Sequence, residues 1–134
     1  MWDFARFRNN NAIIDEYGTA LTYGRLETEG KKLADAVGRR CLVFLLCENA
    51  VGSVVGYTAF MNAGILPVLL NSHLDRELLD TLLSAYCPAY LWIPEKQSKQ
   101  FTDMEPIYNG YNYCLLKTDY DKEYDLHPEL GLLL

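Results

Sequence analysis

Histidine is almost missing from this 134-residue sequence, which holds only His73 and His127, and the four cysteines never stand in a Cys-x-x-Cys pair. Without spaced His and Cys sets there is no local frame for a structural or catalytic metal. The nine glycines fall in neither Gly-x-Gly-x-x-Gly nor Gly-x-x-x-x-Gly-Lys-Ser/Thr order, which removes the ordinary dinucleotide and P-loop readings. Ser53, Ser72 and Ser84 have no Gly-x-Ser-x-Gly setting, so a hydrolase triad has no support. Basic residues are outnumbered, 12 Lys and Arg against 18 Asp and Glu, for a net charge of −6 and a pI near 4.8. That balance argues against nucleic acid or an anionic membrane as partner, because both are held by excess positive charge. No apolar run approaches the ~20 residues of a membrane-spanning helix. The start, Met1-Trp2-Asp3-Phe4-Ala5-Arg6-Phe7-Arg8, lacks the basic-then-apolar order of a secretion signal, and a cytoplasmic location is expected. Cys41, Cys47, Cys87 and Cys114 fit it as small hydrophobes that stay reduced.

What is present is a chain half of whose residues are apolar, long enough for one compact unit over residues 1–134. Residues 11–15 and 20–22, separated by Glu16-Tyr17-Gly18-Thr19, predict a small hairpin. Thr22 is placed to cap a helix over 23–37, which carries Leu26, Gly30, Leu33 and Val37 on one face and ends at Gly38. Residues 41–47 are a continuous apolar run of strand length, the mark of a strand covered on both faces in a parallel sheet. An apolar helix over 50–63 follows, with Gly52, Ser53 and Gly56 as small positions for close packing on a sheet, and Gly64 closes it. Residues 65–70 predict a second strand with Pro67 near its start. Ser72-His73-Leu74-Asp75 has the form of a helix start, and apolar residues at helical spacing run on to Tyr86. Residues 89–93 give a third strand.

Strand and helix alternating over short connections predict an α/β fold, a mostly parallel sheet with helices on both faces, preceded by the small hairpin. Residues 94–112 lose periodicity and predict a short helix and loops, residues 113–118 another strand, and residues 119–128 an acidic loop. The last residues, Leu130-Gly131-Leu132-Leu133-Leu134, form a strand-like run with no turn after it, from which we expect a chain truncated on its downstream side. His73 fits a helix start and His127, before Pro128, a loop position. Tyr108, Tyr111, Tyr113, Tyr120 and Tyr124 could make a sugar- or peptide-binding surface, but such tyrosines are more often rim packing.

Leu21-Thr22-Tyr23-Gly24-Arg25-Leu26 resembles the Leu-Thr-Tyr-x-x-Leu segment near the start of adenylate-forming enzymes: acyl-CoA synthetases, non-ribosomal peptide adenylation domains and luciferases. Phe60-Met61-Asn62-Ala63-Gly64-Ile65-Leu66-Pro67-Val68 resembles their Leu-Lys-Ala-Gly-x-x-x-x-Pro segment, with Met61-Asn62 for Leu-Lys and an earlier proline. Leu42 to Asn49, Asn71 to Tyr86 and Tyr90 to Ile93 match the elements around these segments in order, and His127 to Leu134 resembles the strand entering the family's phosphate loop.

The resemblance implies the N-terminal subdomain of a larger domain, cut before that loop. In the full-length parent it implies an AMP-forming acid–thiol ligase using ATP and Mg, with a carboxylic acid as substrate and CoA or a phosphopantetheine carrier protein as acceptor. The groups that hold nucleotide, metal and acid would all lie past Leu134. Residues 1–134 therefore carry no catalytic, cofactor-binding or metal-binding assignment and are expected to be an inactive scaffold. Unpaired strand edges in the isolated piece predict self-association. The alternative is a self-contained flavodoxin-like α/β domain that binds a ligand or a protein and is no enzyme.

Overall fold

The computed structural model of the protein describes residue 6, residues 8–14 and residues 20–120. The expected turn at 16–19, His127, Tyr124 and the run 130–134 lie outside the described residues. Strands β1 (Asn11–Ile14) and β2 (Ala20–Thr22) pair antiparallel as the expected hairpin. Helix α1 (Tyr23–Val37) starts where the Thr22 hydroxyl accepts from the Arg25 amide at 3.1 Å. It stops at Gly38, whose φ of 77° only glycine adopts at little cost.

The main sheet has five strands in the order β4-β3-β5-β7-β6, formed by β3 (Leu42–Cys47), β4 (Leu66–Asn71), β5 (Tyr90–Pro94), β6 (Glu105–Gly110) and β7 (Tyr113–Lys117). β3 lies parallel to both neighbours, β4 and β5. Having partners on both edges and helices on both faces, it is buried almost throughout, which is why its sequence is apolar at every position.

Helix α2 (Val51–Ala63) joins β3 to β4 on one face, and α3 (Arg76–Tyr86) joins β4 to β5 on the other. The two crossovers run in opposite directions along the sheet and use opposite faces, so they share one hand, as twisted parallel sheets require. Val43, Leu45, Trp92 and Leu115 fill the core under α2 and α1. Leu42, Phe44, Leu46, Leu91 and Ile93 fill the core under α3.

Pro67 falls on β4, at the sheet's end in this strand order, where a missing donor does least harm. Gly52 and Gly56 are the close-packing positions the sequence implied. A Cβ at 52 would sit 2.8 Å from Cγ and Cε1 of Tyr113, and one at 56 would lie 2.5 Å from Trp92 Nε1.

Two expectations are corrected. Residues 94–112 hold not only a short helix, α4 (Glu95–Ser98), but also the edge strand β6. β6 turns into β7 through Tyr111 and Asn112, with φ of 55° and 62°, the geometry of a two-residue hairpin. β7 runs antiparallel to β5, so the sheet is mixed, with four of its five strands pointing one way. Ser72 does not begin a helix. Asn71 Oδ1 accepts from the His73 amide at 2.8 Å and its carbonyl accepts from Leu74, which makes a turn and delays α3 to Arg76.

Candidate functional site

In an open α/β sheet, ligands gather beyond the carboxyl ends of the strands where neighbouring strands send their connections in opposite directions. Here that place is between β3, whose chain leaves toward β4, and β5, whose chain leaves toward α4 and the β6–β7 hairpin. An open crevice of about 480 Å³ lies there, lined by Glu48, Pro94, Glu95, Lys96, Lys99 and Asn112.

The floor beside the crevice is a buried polar cluster. Tyr113, fully buried on β7, places its hydroxyl 2.7 Å from the Leu46 carbonyl and 2.6 Å from Ser53 Oγ. Ser53 Oγ lies 2.7 Å from the Glu48 carbonyl, and the Glu48 amide donates to Ser53 Oγ at 3.0 Å and toward the Tyr113 hydroxyl at 3.2 Å. Trp92 Nε1 donates to the Gly52 carbonyl at 2.8 Å. The cluster ties the end of β3, the first turn of α2, β5 and β7 together.

Two hydroxyl protons serve three short oxygen contacts, so the protons can be distributed in more than one way while both groups stay committed to the backbone. Burial pushes the Tyr113 phenol above the usual tyrosine range, and the Glu48 and Cys47 charges push the same way, against hydrogen bonds from Ser53 and the Glu48 amide that favour the anion. Tyr113 is therefore a neutral donor at physiological pH. Burial likewise raises the Cys47 thiol at the end of β3, which keeps it from acting as a ready nucleophile.

At the mouth, Lys96 Nζ is 3.4 Å from Glu48 Oε2, so the Glu48 carboxylate is paired, and Glu95 lines the same crevice. Among the described residues, no three His, Cys, Asp or Glu side chains converge to hold a metal ion. The arrangement can bind and position, but among the described residues it sets no base beside a nucleophile.

The residues weighed from sequence fall as follows. His73 is exposed in the turn after β4, where its amide, not its ring, makes the recorded bond. Ser84 is exposed on α3, and Ser72 is buried with no hydrogen-bond partner for its hydroxyl among the described residues. Tyr108 and Tyr111 pack against the α1–α2 side of the core, Tyr113 is fully buried within it, and Tyr120 packs on the α3 side, so these four are packing residues. Burial and then the Glu29 carboxylate raise both the Tyr108 and Tyr111 phenols, while a hydrogen bond and charge from Arg25 oppose this at Tyr111. Cys41, Cys47, Cys87 and Cys114 are all free thiols. The Glu48–Ser53–Tyr113 cluster was not visible in the sequence, because its members are up to 65 positions apart and match no motif.

No family model and no curated protein matches the sequence. Solved structures do match. A luciferase-like enzyme from the mealworm Zophobas morio superposes with a TM-score of 0.63 at 20% identity, over 72% of this chain and 24% of that one. The N-terminal subdomain of Klebsiella oxytoca NpsA gives 0.58 at 23% identity, over 66% and 24%. O-succinylbenzoate coenzyme A synthetase from Bacillus subtilis, solved with AMP, gives 0.53 at 23% identity, over 60% and 23%. The chain shares a fold with part of each of these structures, among them the N-terminal subdomain of NpsA. The chain spans about a quarter of the length of those structures.

Among the described residues, α1, α2, α3 and the three parallel strands β3, β4 and β5 are the elements on which the sequence resemblance rested. No helix among the described residues is long and apolar enough to cross a membrane.

Proposed function

We propose that this chain is the amino-terminal scaffold of a larger AMP-forming acid–thiol ligase. In that parent, a carboxylate attacks the α-phosphate of ATP, forming the acyl-adenylate and releasing pyrophosphate. A thiol of CoA or of a phosphopantetheine carrier protein then takes the acyl group and releases AMP. The observation that supports this reading is the shared fold, spanning about a quarter of each matched structure.

We assign no Mg-ATP site to the described residues, because Glu48 at the crevice is paired with Lys96 and no three His, Cys, Asp or Glu side chains converge among them. Binding and chemistry in the parent are therefore assigned to its other parts, and the role of this portion is to hold the carboxyl-end crevice rigid through Tyr113 and Ser53.

Calorimetry of the 134-residue chain with Mg-ATP is expected to show no binding, and the protein extended along its reading frame is expected to exchange pyrophosphate into ATP when a carboxylic acid is supplied. Micromolar binding to the chain alone would overturn the scaffold role. An extended protein with no exchange across a panel of acids would overturn the ligase.

The flavodoxin-like alternative has one observation in its favour, the order β4-β3-β5, which is the 2-1-3 start of that fold. Against it, the next strand in place, β7, runs antiparallel. Flavin mononucleotide binding at micromolar concentration would reverse the choice.

A further inference from the structure

Among the described residues β4 pairs only with β3, and the backbone groups on its other edge are set by alternation. The amides of Leu66 and Ser72 donate to the Cys41 and Cys47 carbonyls, so even-numbered residues face β3 and Pro67, Leu69 and Asn71 face outward. Proline has no amide proton, and the Asn71 carbonyl already accepts from Leu74 at 3.0 Å. The outward row thus consists of the Pro67 carbonyl, both groups of Leu69, and the Asn71 amide.

That row is complementary to itself. With a second copy placed antiparallel about a two-fold axis at Leu69, each Leu69 amide meets the other Leu69 carbonyl. Each Asn71 amide meets the other copy's Pro67 carbonyl. The missing proline donor falls opposite the Asn71 carbonyl that is already satisfied, so four hydrogen bonds form and no group on the row is stranded.

β4 carries no charged side chain in Leu66–Asn71. The opposite edge is defended: β6 has Glu105, Pro106 and an irregular register between Pro106 and Tyr108. Exposed apolar side chains also stand on the crossover helices either side of β4, Val54 on α2 and Leu78 on α3, exposed by 37% and 47%.

We propose that two copies of this chain associate through β4, antiparallel and centred on Leu69, to make a continuous ten-stranded sheet. The inference rests on the edge chemistry and is independent of the ligase reading.

The test is sedimentation of the 134-residue chain from micromolar to near-millimolar concentration, together with oxidative cross-linking of Leu69→Cys. A directly opposed hydrogen-bonded pair has Cα atoms about 5.5 Å apart, inside the range a disulfide spans. Concentration-dependent dimers, cross-linked through position 69 and not through the control Ile107→Cys on β6, are expected. Leu69→Lys should weaken the dimer at least about tenfold by burying two like charges on the axis.

Should these variants fail to fold, amide exchange of the unaltered chain decides. Protection at Leu69 and Asn71 that rises with concentration supports the dimer. A monomer at every concentration, protection there that does not change with concentration because the chain covers its own edge, or cross-linking through position 107 instead would overturn it.

Discussion

Tyr113→Phe removes one oxygen from the floor of the crevice, and the cost follows from what that oxygen touches. The hydroxyl lies 2.7 Å from the Leu46 carbonyl, 2.6 Å from Ser53 Oγ and 3.2 Å from the Glu48 amide. In the variant, Ser53 commits its proton to the Glu48 carbonyl and still accepts from the Glu48 amide, while the Leu46 carbonyl loses this partner inside the protein. Leaving a buried acceptor unpaired costs about 1–3 kcal/mol. Ser53→Ala gives the converse: Tyr113 keeps Leu46 and the Glu48 amide, and the Glu48 carbonyl is orphaned at a similar cost.

The double variant strands both carbonyls and, in addition, the Glu48 amide, which each single variant still satisfies through the surviving hydroxyl. It should therefore exceed the sum of the singles by about 1 kcal/mol. Urea unfolding followed by far-ultraviolet circular dichroism, with equal m-values across the four proteins, measures all three quantities. A Tyr113→Phe cost under about 0.5 kcal/mol, or strict additivity of the pair, would refute the shared-amide network.

Gly52→Ala should cost about 1–3 kcal/mol in the same assay, because its Cβ would press into the Tyr113 ring, which cannot move without breaking its hydroxyl bonds. An unchanged midpoint would show that α2 can slide on the sheet. Stability should hold on the neutral side and fall as pH rises past the ordinary thiol and phenol ranges, about 8.5 and 10. Burial raises Cys41, Cys114 and Tyr113, so the unfolded chain loses those protons first and binds fewer of them than the folded one. Unfolding midpoints taken across that range check the sign, and Tyr113→Phe should flatten the phenol part of the decline.

The legible parts of the fold were those with local chemistry. Thr22 and Gly38 bracket α1 because a cap and a left-handed residue act within one turn, and β3 shows itself because burial on both faces leaves no polar position. β6 hid for the opposite reason: most of its residues are exposed or half-buried, so Glu105–Gly110 has no apolar alternation to read. Its hairpin turn was hidden too, since Tyr111 and Asn112 take positive φ without glycine, and the Asn109-Gly110 pair that usually marks such a turn sits just before it. The Ser72 start failed because Asn71, one position earlier, makes the competing turn. The polar cluster at the crevice is a tertiary object, assembled from β3, α2 and β7, and nothing within any one of those segments announces it.

The position of β3 in the sheet also sets an order of events during synthesis. Its pairing with β4 closes as soon as the first crossover has been made, but its other edge waits for β5, and the Tyr113 bond to Leu46 spans 67 positions. On a ribosome releasing about 5–20 residues per second, the most apolar strand of the sheet therefore stands with one edge bare for seconds. In that interval the nascent chain is most in need of a chaperone, and a pause in translation between β4 and β5 would lengthen it.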